Sequence, residues 1–176
     1  LTYLPPAAGE LEAEPLMDEE VVLVEPVRDP APPSPRERVP WTALQERPLI
    51  LLPQGYCLRR LLDGWFRLAA VQPRVAVEMG DLAGMLELVR WGVGAALLPE
   101  GLVQAGGGAG GGWLDGAADG AGAAAWRVLR LRDPRPAAPV GIVHRRGRYR
   151  CRASRALVEV LREVGGSGPD PAGDAD

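Results

Sequence analysis

Lysine is absent from this 176-residue chain, histidine occurs once and cysteine twice. All 20 basic residues are therefore arginine; dispersed among 23 acids, they leave a net charge of −3 and a pI near 5.3. That balance lacks the positive field that a phosphate backbone demands, so nucleic-acid binding by this chain alone is not expected. Cys57 and Cys151 cannot build a disulfide framework, and the lone His144 gives no cluster of zinc-ligand spacing, so no metal is expected and cytoplasmic residence fits best. No apolar stretch approaches the length of a membrane span, and no charged segment leads into an apolar one at the start. A protein neither exported nor membrane-spanning is the expectation. Because the chain opens on Leu1, it is read as part of a longer protein. Catalytic signatures are missing too: there is no Gly-x-Ser-x-Gly, no Walker lysine and no His-Glu-x-x-His. Neither an enzyme nor a resident cofactor is expected.

What is present is enough chain to bury a core without staples. Glycine and proline are frequent, 23 and 18 residues, but concentrate in three segments. Residues 26–40 hold six prolines and read as a loop or hinge. Residues 105–125 hold nine glycines and little apolar bulk, and read as a flexible insertion. The tail 165–176 has the same character and is expected to be disordered. Between them, Glu20–Val24 and Leu49–Leu52 are apolar runs of buried-strand type. From Cys57 to Ala70 the positions Leu58, Leu61, Leu62, Trp65 and Phe66 recur at helical spacing. Arg74–Met79 alternates as a strand, Leu82, Met85, Leu86 and Val89 draw a second helix, and Val93–Leu98 is a further strand. Arg127–Leu131 and Val140–His144 read as strands, and Ala153–Val164 as an amphipathic helix with Leu157, Val160, Leu161 and Val164 on one face. The order strand, helix, strand, helix, strand predicts an α/β fold, a parallel or mixed sheet flanked by helices.

Two turns carry strands into helices, one at Gln54-Gly55-Tyr56 before Cys57 and one at Gly80-Asp81. Helix N-termini have backbone N–H groups without intrahelical partners, and the dipole favours negative charge there. Consecutive parallel strands place both turns on one edge of the sheet, where backbone donors could hold a small polar or anionic ligand. Ordinary helix starts are the competing reading, and spacing alone leaves both open.

The blocks EAEPLMDEEVVLVEP, RPLILLPQGYCLRRLLDGWF, RVAVEMGDLAGMLELVRWGVGAALLPEGLV and VGIVHRRGRY occur in an order that resembles the effector-binding domain of LysR-type transcriptional regulators. The resemblance runs from about Leu11 to Val164, interrupted by the glycine insertion. It implies a type II periplasmic-binding-protein fold with an incomplete first lobe. On that reading residues 1–15 are a remnant of lobe I and 16–145 form lobe II. Residues 146–164 are the C-terminal helix returning to lobe I. It implies an effector seat at Gln54, Gly55, Tyr56, Cys57, Met79, Gly80 and Asp81, with Leu98, Pro99 and Arg145. A small polar or anionic effector held between lobes would then modulate DNA binding by a winged helix-turn-helix that this chain lacks, in a self-associating parent protein without membrane contact. A solute-binding protein of a transporter shares the fold and is the alternative from another class. Around Cys57 the run GYCLRR also resembles the hydrogen-peroxide-sensing branch of the family, with Arg145 where that branch has an arginine. A cysteine at a helix N-terminus beside cations is a setting in which thiolate chemistry occurs. The branch's resolving cysteine has no counterpart here, and Tyr56 stands where it has histidine.

Overall fold

The computed structural model describes residues 2–4, 10–27, 38–107, 126–147 and 151–165. They fall into two units, one of Leu1–Asp18 with Ala138–Asp176 and one of Glu19–Ala137. Residues 105–107 of the expected insertion and residue 165 of the expected tail are helical, whereas the rest of both and most of the proline-rich loop lie outside the described residues.

The larger unit is organised by the run Val21–Val24, all four residues of which are fully buried. They belong to β2 (Leu11–Pro26), which pairs antiparallel on one side with β6 (Ala95–Pro99) and on the other with β7 (Trp126–Arg132). A strand covered on both faces takes a near-continuous apolar run in place of an alternating one, and Val21–Val24 suits that place. β3 (Arg38–Pro40) lies parallel to β7. β4 (Pro48–Leu51) lies between β5 (Arg74–Glu78) and β6, parallel to both. The sheet is mixed, as the element order predicts, and in this unit runs β3-β7-β2-β6-β4-β5.

Two crossovers cover it. α1 (Cys57–Leu68) buries Leu58, Leu62 and Phe66, and α2 (Leu82–Arg90) buries Met85, Leu86 and Val89. Each such side chain contributes about 1.5–3 kcal/mol of burial. Trp41, in a single 3-10 turn at Trp41–Leu44, is 1% exposed. It meets Phe66 edge-on at 5.4 Å and donates its indole N–H to Pro134 O at 2.7 Å. Residues 38–44 are thus structured, β3 and this turn occupying ground where the prolines predict loop up to residue 40. α3 (Glu100–Gly107) starts directly after β6.

In the smaller unit β1 (Thr2–Tyr3) pairs antiparallel with β8 (Ala137–Arg145). α4 (Arg152–Gly165) is tied by Arg162 to Glu14 at 2.7 Å. Of its expected apolar stripe only Leu161 is half-buried, while Leu157, Val160 and Val164 are exposed. The reason is that the face meeting its own unit is drawn by Ser154, Val158, Leu161 and Gly165, one position off the expected stripe at most levels.

Candidate functional site

β4 ends at Leu51, and the chain turns through Pro53–Tyr56 with Tyr56 N–H donating to Pro53 O at 3.4 Å. Gly55 takes φ +105°, a conformation L side chains rarely adopt, so this turn needs glycine. Tyr56 then serves as the N-cap of α1 in extended backbone, and no side chain caps the helix there. The first intrahelical bond runs from Arg60 N–H to Tyr56 O at 3.1 Å.

Two adjacent arginines divide the work behind this turn. Arg59 is buried and its guanidinium donates to Leu52 O at 2.6 Å, to Glu78 Oε1 at 2.7 Å and to Asp63 Oδ1 at 3.0 Å. One group thereby joins the end of β4, the end of β5 and the second turn of α1. Burial opposes its charge, but the hydrogen bonds and charges of Glu78 and Asp63 outweigh that and hold its pKa above the ordinary arginine value. Arg60 is exposed and folds back, donating to Gly55 O at 3.0 Å and to Cys57 Sγ at 3.3 Å.

The second turn is anchored to the first strand, because Met79 N–H donates to Leu51 O at 3.0 Å. Asp81 caps α2, accepting from Gly84 N–H at 3.0 Å and Ala83 N–H at 3.3 Å. Its carboxylate therefore occupies the amides that would otherwise be open at that helix start. Across the gap, the Tyr56 phenol lies against Gly80 so closely that a Cβ there would stand 2.5 Å from its Oη. The sequence-expected turns meet through this contact.

The expected residues are thus distributed as follows. Gln54, Gly55, Tyr56, Gly80 and Asp81 are exposed; Cys57 and Met79 are partly exposed. Leu98 and Pro99 are buried in β6, so they present no open side-chain surface. Arg145 is exposed at the end of β8, in the smaller unit. There too His144 Nε2 stands 2.9 Å from Glu12 Oε2. Sequence reasoning missed Arg59 as the hub. It also missed a charged group at the strand ends beside Pro99, where Glu20 accepts from Arg130 at 2.7 Å and Arg135 at 2.6 Å and Arg130 also reaches Glu100. An acid directly before a buried run is the available signal for Glu20. Among the described residues no three His, Cys, Asp or Glu converge as a metal site would require, and no helix is long and apolar enough to cross a membrane.

A family profile described as LysR substrate binding domain matches residues 1–111. Among curated proteins, a probable hydrogen peroxide-inducible genes activator of Mycobacterium leprae is 37% identical over 98 residues, 55% of this chain and 31% of that protein. One of the same description from Mycobacterium avium is 30% identical over 166 residues, 93% of this chain and 48% of that protein. This chain spans about half the length of these relatives or less. Among solved structures, the regulatory domain of Synechocystis CcmR in complex with 2-PG superposes with a TM-score of 0.73 at 19% identity, covering 96% of this chain and 74% of that one. The effector binding domain of QuiR in complex with shikimate gives 0.71 at 17%, covering 94% and 70%. The reduced OxyR regulatory domain of Pseudomonas aeruginosa gives 0.65 at 23%, covering 92% and 70%. These likenesses establish the type II periplasmic-binding-protein fold, and the profile match over more than half of the residues establishes that the chain belongs to the LysR substrate binding domain family.

Proposed function

We propose that the chain is the effector-sensing region of a bacterial LysR-type transcriptional regulator, working in the cytoplasm by binding and not by catalysis. A small polar or anionic molecule sits at the Gln54–Cys57 turn against Met79, Gly80 and Asp81. Binding shifts a conformational equilibrium that governs DNA binding by a helix-turn-helix domain outside this chain, in a self-associating parent protein. The observation that carries the reading is the meeting of Tyr56 with Gly80 beside a helix start that no side chain caps. Asp81 occupies the amides of α2, so the anion-favouring end is that of α1. Structures of similar fold hold 2-PG and shikimate, which supports a small-molecule effector. Leu98 and Pro99 contribute through the strand end, and Arg145 enters on family resemblance alone. The test is calorimetric titration of the chain with a panel of small carboxylates and phosphates, followed by Gly80→Ala. Binding that centres on Gly55 and Gly80 by amide shifts and weakens in the variant is expected. Ligand shifts confined to other residues would refute the placement. An export signal encoded in frame upstream, instead of a helix-turn-helix, would favour a solute-binding protein.

A second reading rests on Cys57. Its sulfur receives the Arg60 guanidinium at 3.3 Å, and the curated relatives carry the description hydrogen peroxide-inducible genes activator. In that reading peroxide oxidises the thiolate to a sulfenic acid with release of water. Cys151 lies in the smaller unit. Trapping of sulfenic acid at Cys57 after equimolar peroxide, faster than on an unstructured peptide thiol, is the expected result. Equal rates would eliminate redox sensing and leave the small-molecule effector.

A further inference from the structure

The apolar side of α4 is wider than the surface it rests on. At about 100° per residue, an arc of about 200° running from Ala156 through Val160, Val164, Leu157 and Leu161 to Val158 carries no charge, and every charged residue of the helix lies on the remainder. A helix lying on one surface needs a stripe of only about 100°. Here the inner part of the arc, at Ser154, Val158, Leu161 and Gly165, is half-buried on the helix's own unit. The outer part is bare: Leu157 is 58% exposed, Val160 53% and Val164 69%. Apolar side chains scattered singly over a surface need no explanation, but three aligned on one helix face mark a contact surface.

Length indicates what belongs there. Two of the similar solved structures are described as regulatory domains, those of CcmR and of the reduced Pseudomonas aeruginosa OxyR, and 96% and 92% of this chain account for only 74% and 70% of them. About a quarter or more of such a domain thus has no counterpart here. The unit Glu19–Ala137 has its sheet and two crossover helices, whereas the unit holding α4 has, among the described residues, β8, the first part of β2 and a β1 that pairs only Thr2 and Tyr3. A helix with two apolar sides in so small a unit has a layer to meet on one side only.

We propose that the outer face of α4, at Leu157, Val160 and Val164, is a docking surface for an apolar layer of the regulatory domain that lies outside this chain. Ala153 and Ala156, small and exposed on the same side, let that layer approach closely at the start of the helix. A second copy of this chain is the rival occupant, and area disfavours it. The stripe from Ala153 to Val164 is about 17 Å long on a helix about 10 Å across, far short of the roughly 800 Å² per partner that a stable pair buries. The surface shares no residue with the turns at Gln54–Cys57 and Met79–Asp81, so the proposal is independent of the effector reading.

The test compares the 176-residue chain with the same chain extended by the coding sequence in frame before Leu1. In this chain Leu157→Glu should move Tm by less than about 1 °C, as at any exposed position. In the extended protein it should lower Tm by about 5 °C or more, because the carboxylate is then trapped in an apolar contact. Glu159→Gln, on the charged side, should behave alike in both. With no substitution at all, amide exchange along α4 should be at least about tenfold slower in the extended protein. Equal exchange and equal tolerance of Leu157→Glu in the two proteins would overturn the proposal, as would a reading frame closed directly before Leu1. A dimer of the 176-residue chain that Leu157→Glu dissolves would also overturn it, giving the face to a second copy. The exchange comparison decides the matter even if the extended variant fails to fold.

Discussion

Arg59→Met keeps an unbranched apolar stem at the start of α1 and removes only the guanidinium, which makes it a direct probe of what holds the two turns together. Three acceptors lose their donor. Leu52 O, reached at 2.6 Å in a buried bond, has no ready replacement, and an orphaned buried carbonyl costs about 1–3 kcal/mol. The other two acceptors are in wetter places: the side chains of Glu78 and Asp63 are 44% and 33% exposed, so water takes over and each lost pair costs less than about 1 kcal/mol. Removing a buried charge returns part of its desolvation cost. The expected net loss is about 2–3 kcal/mol, or roughly 5–10 °C in Tm for a chain of this size. Arg59→Lys keeps the charge but cannot span three acceptors with one ammonium, so it should lose about half as much. Urea unfolding reads the loss as a lower midpoint at unchanged slope. Amide exchange at Gly55 and Tyr56 should quicken in step, since the turn is held from behind by this side chain. The sign of the pH dependence follows from the raised pKa: stability is fully present below the ordinary arginine value and is lost only as pH rises through the higher folded one. The penalty should therefore be the same at neutral and mildly alkaline pH. A loss below about 0.5 kcal/mol, or full rescue by lysine, would refute the clamp, since either would mean Leu52 O finds another donor or one charge suffices.

Asp81→Ala should cost about 1 kcal/mol and Asp81→Asn only a few tenths, because the cap to Gly84 and Ala83 needs an oxygen acceptor and not a charge. Loss of ligand affinity at unchanged stability would instead show that the carboxylate reads the effector. Gly80→Ala forces the Tyr56 phenol away from a Cβ 2.5 Å from its Oη, yet Tyr56 is 47% exposed and free to turn. Ligand binding at the turns should weaken while the unfolding midpoint holds, and unchanged binding would take this contact out of the seat. Cys151 is held below the usual thiol range by the Ser154 backbone N–H and then its hydroxyl. Its stabilising contribution is present above the unfolded thiol pKa and fades as pH falls through the lower folded one. Alkylation by iodoacetamide should therefore reach half-maximal rate at a lower pH than for a free peptide thiol, and Ser154→Ala should move it part of the way back. A peptide-like profile in the wild type would contradict the assignment.

Local pattern was enough for the elements around the seat. Proline-bounded apolar runs marked β4 and the core of β2, 3.6-residue stripes marked α1 and α2, and Gly-Asp marked the cap of α2, each a feature written within a few neighbouring residues. The first nine residues of β2, Leu11–Glu19, carry no strand pattern because they mix Pro15 with four acids, and such a strand is specified by its neighbours more than by its own composition. Trp41 is illegible locally for a similar reason. A tryptophan next to six prolines looks like loop until Phe66, 25 positions on, supplies the surface against which it packs. The pair Arg59 and Arg60 is the sharpest case. Side by side in the sequence they are chemically the same, yet 100° of helical rotation turns one into the interior toward Leu52 and Glu78 and leaves the other on the Cys57 sulfur.

Charge placement on the central strand follows from the same geometry. Glu20 and Glu25 bracket Val21–Val24, and both acids are buried with that run, 9% and 7% exposed. A carboxylate in that position must be matched within the protein. Antiparallel β7 brings Arg127 level with Glu25 and places Arg130 beside the other end, while Arg47 and Arg135 complete a second contact to each acid. The partners lie between 22 and 115 residues away. No periodicity in the chain announces these pairs; they arise from register. Both acids nevertheless take two guanidiniums each, and the surplus positive charge that results stands at both ends of the buried run, beside Glu100 at one end and Glu46 at the other. At the first end Glu100 neutralises it. At the second, Glu46 stands among the same residues as Arg47 and Arg127 and balances the charge there as well.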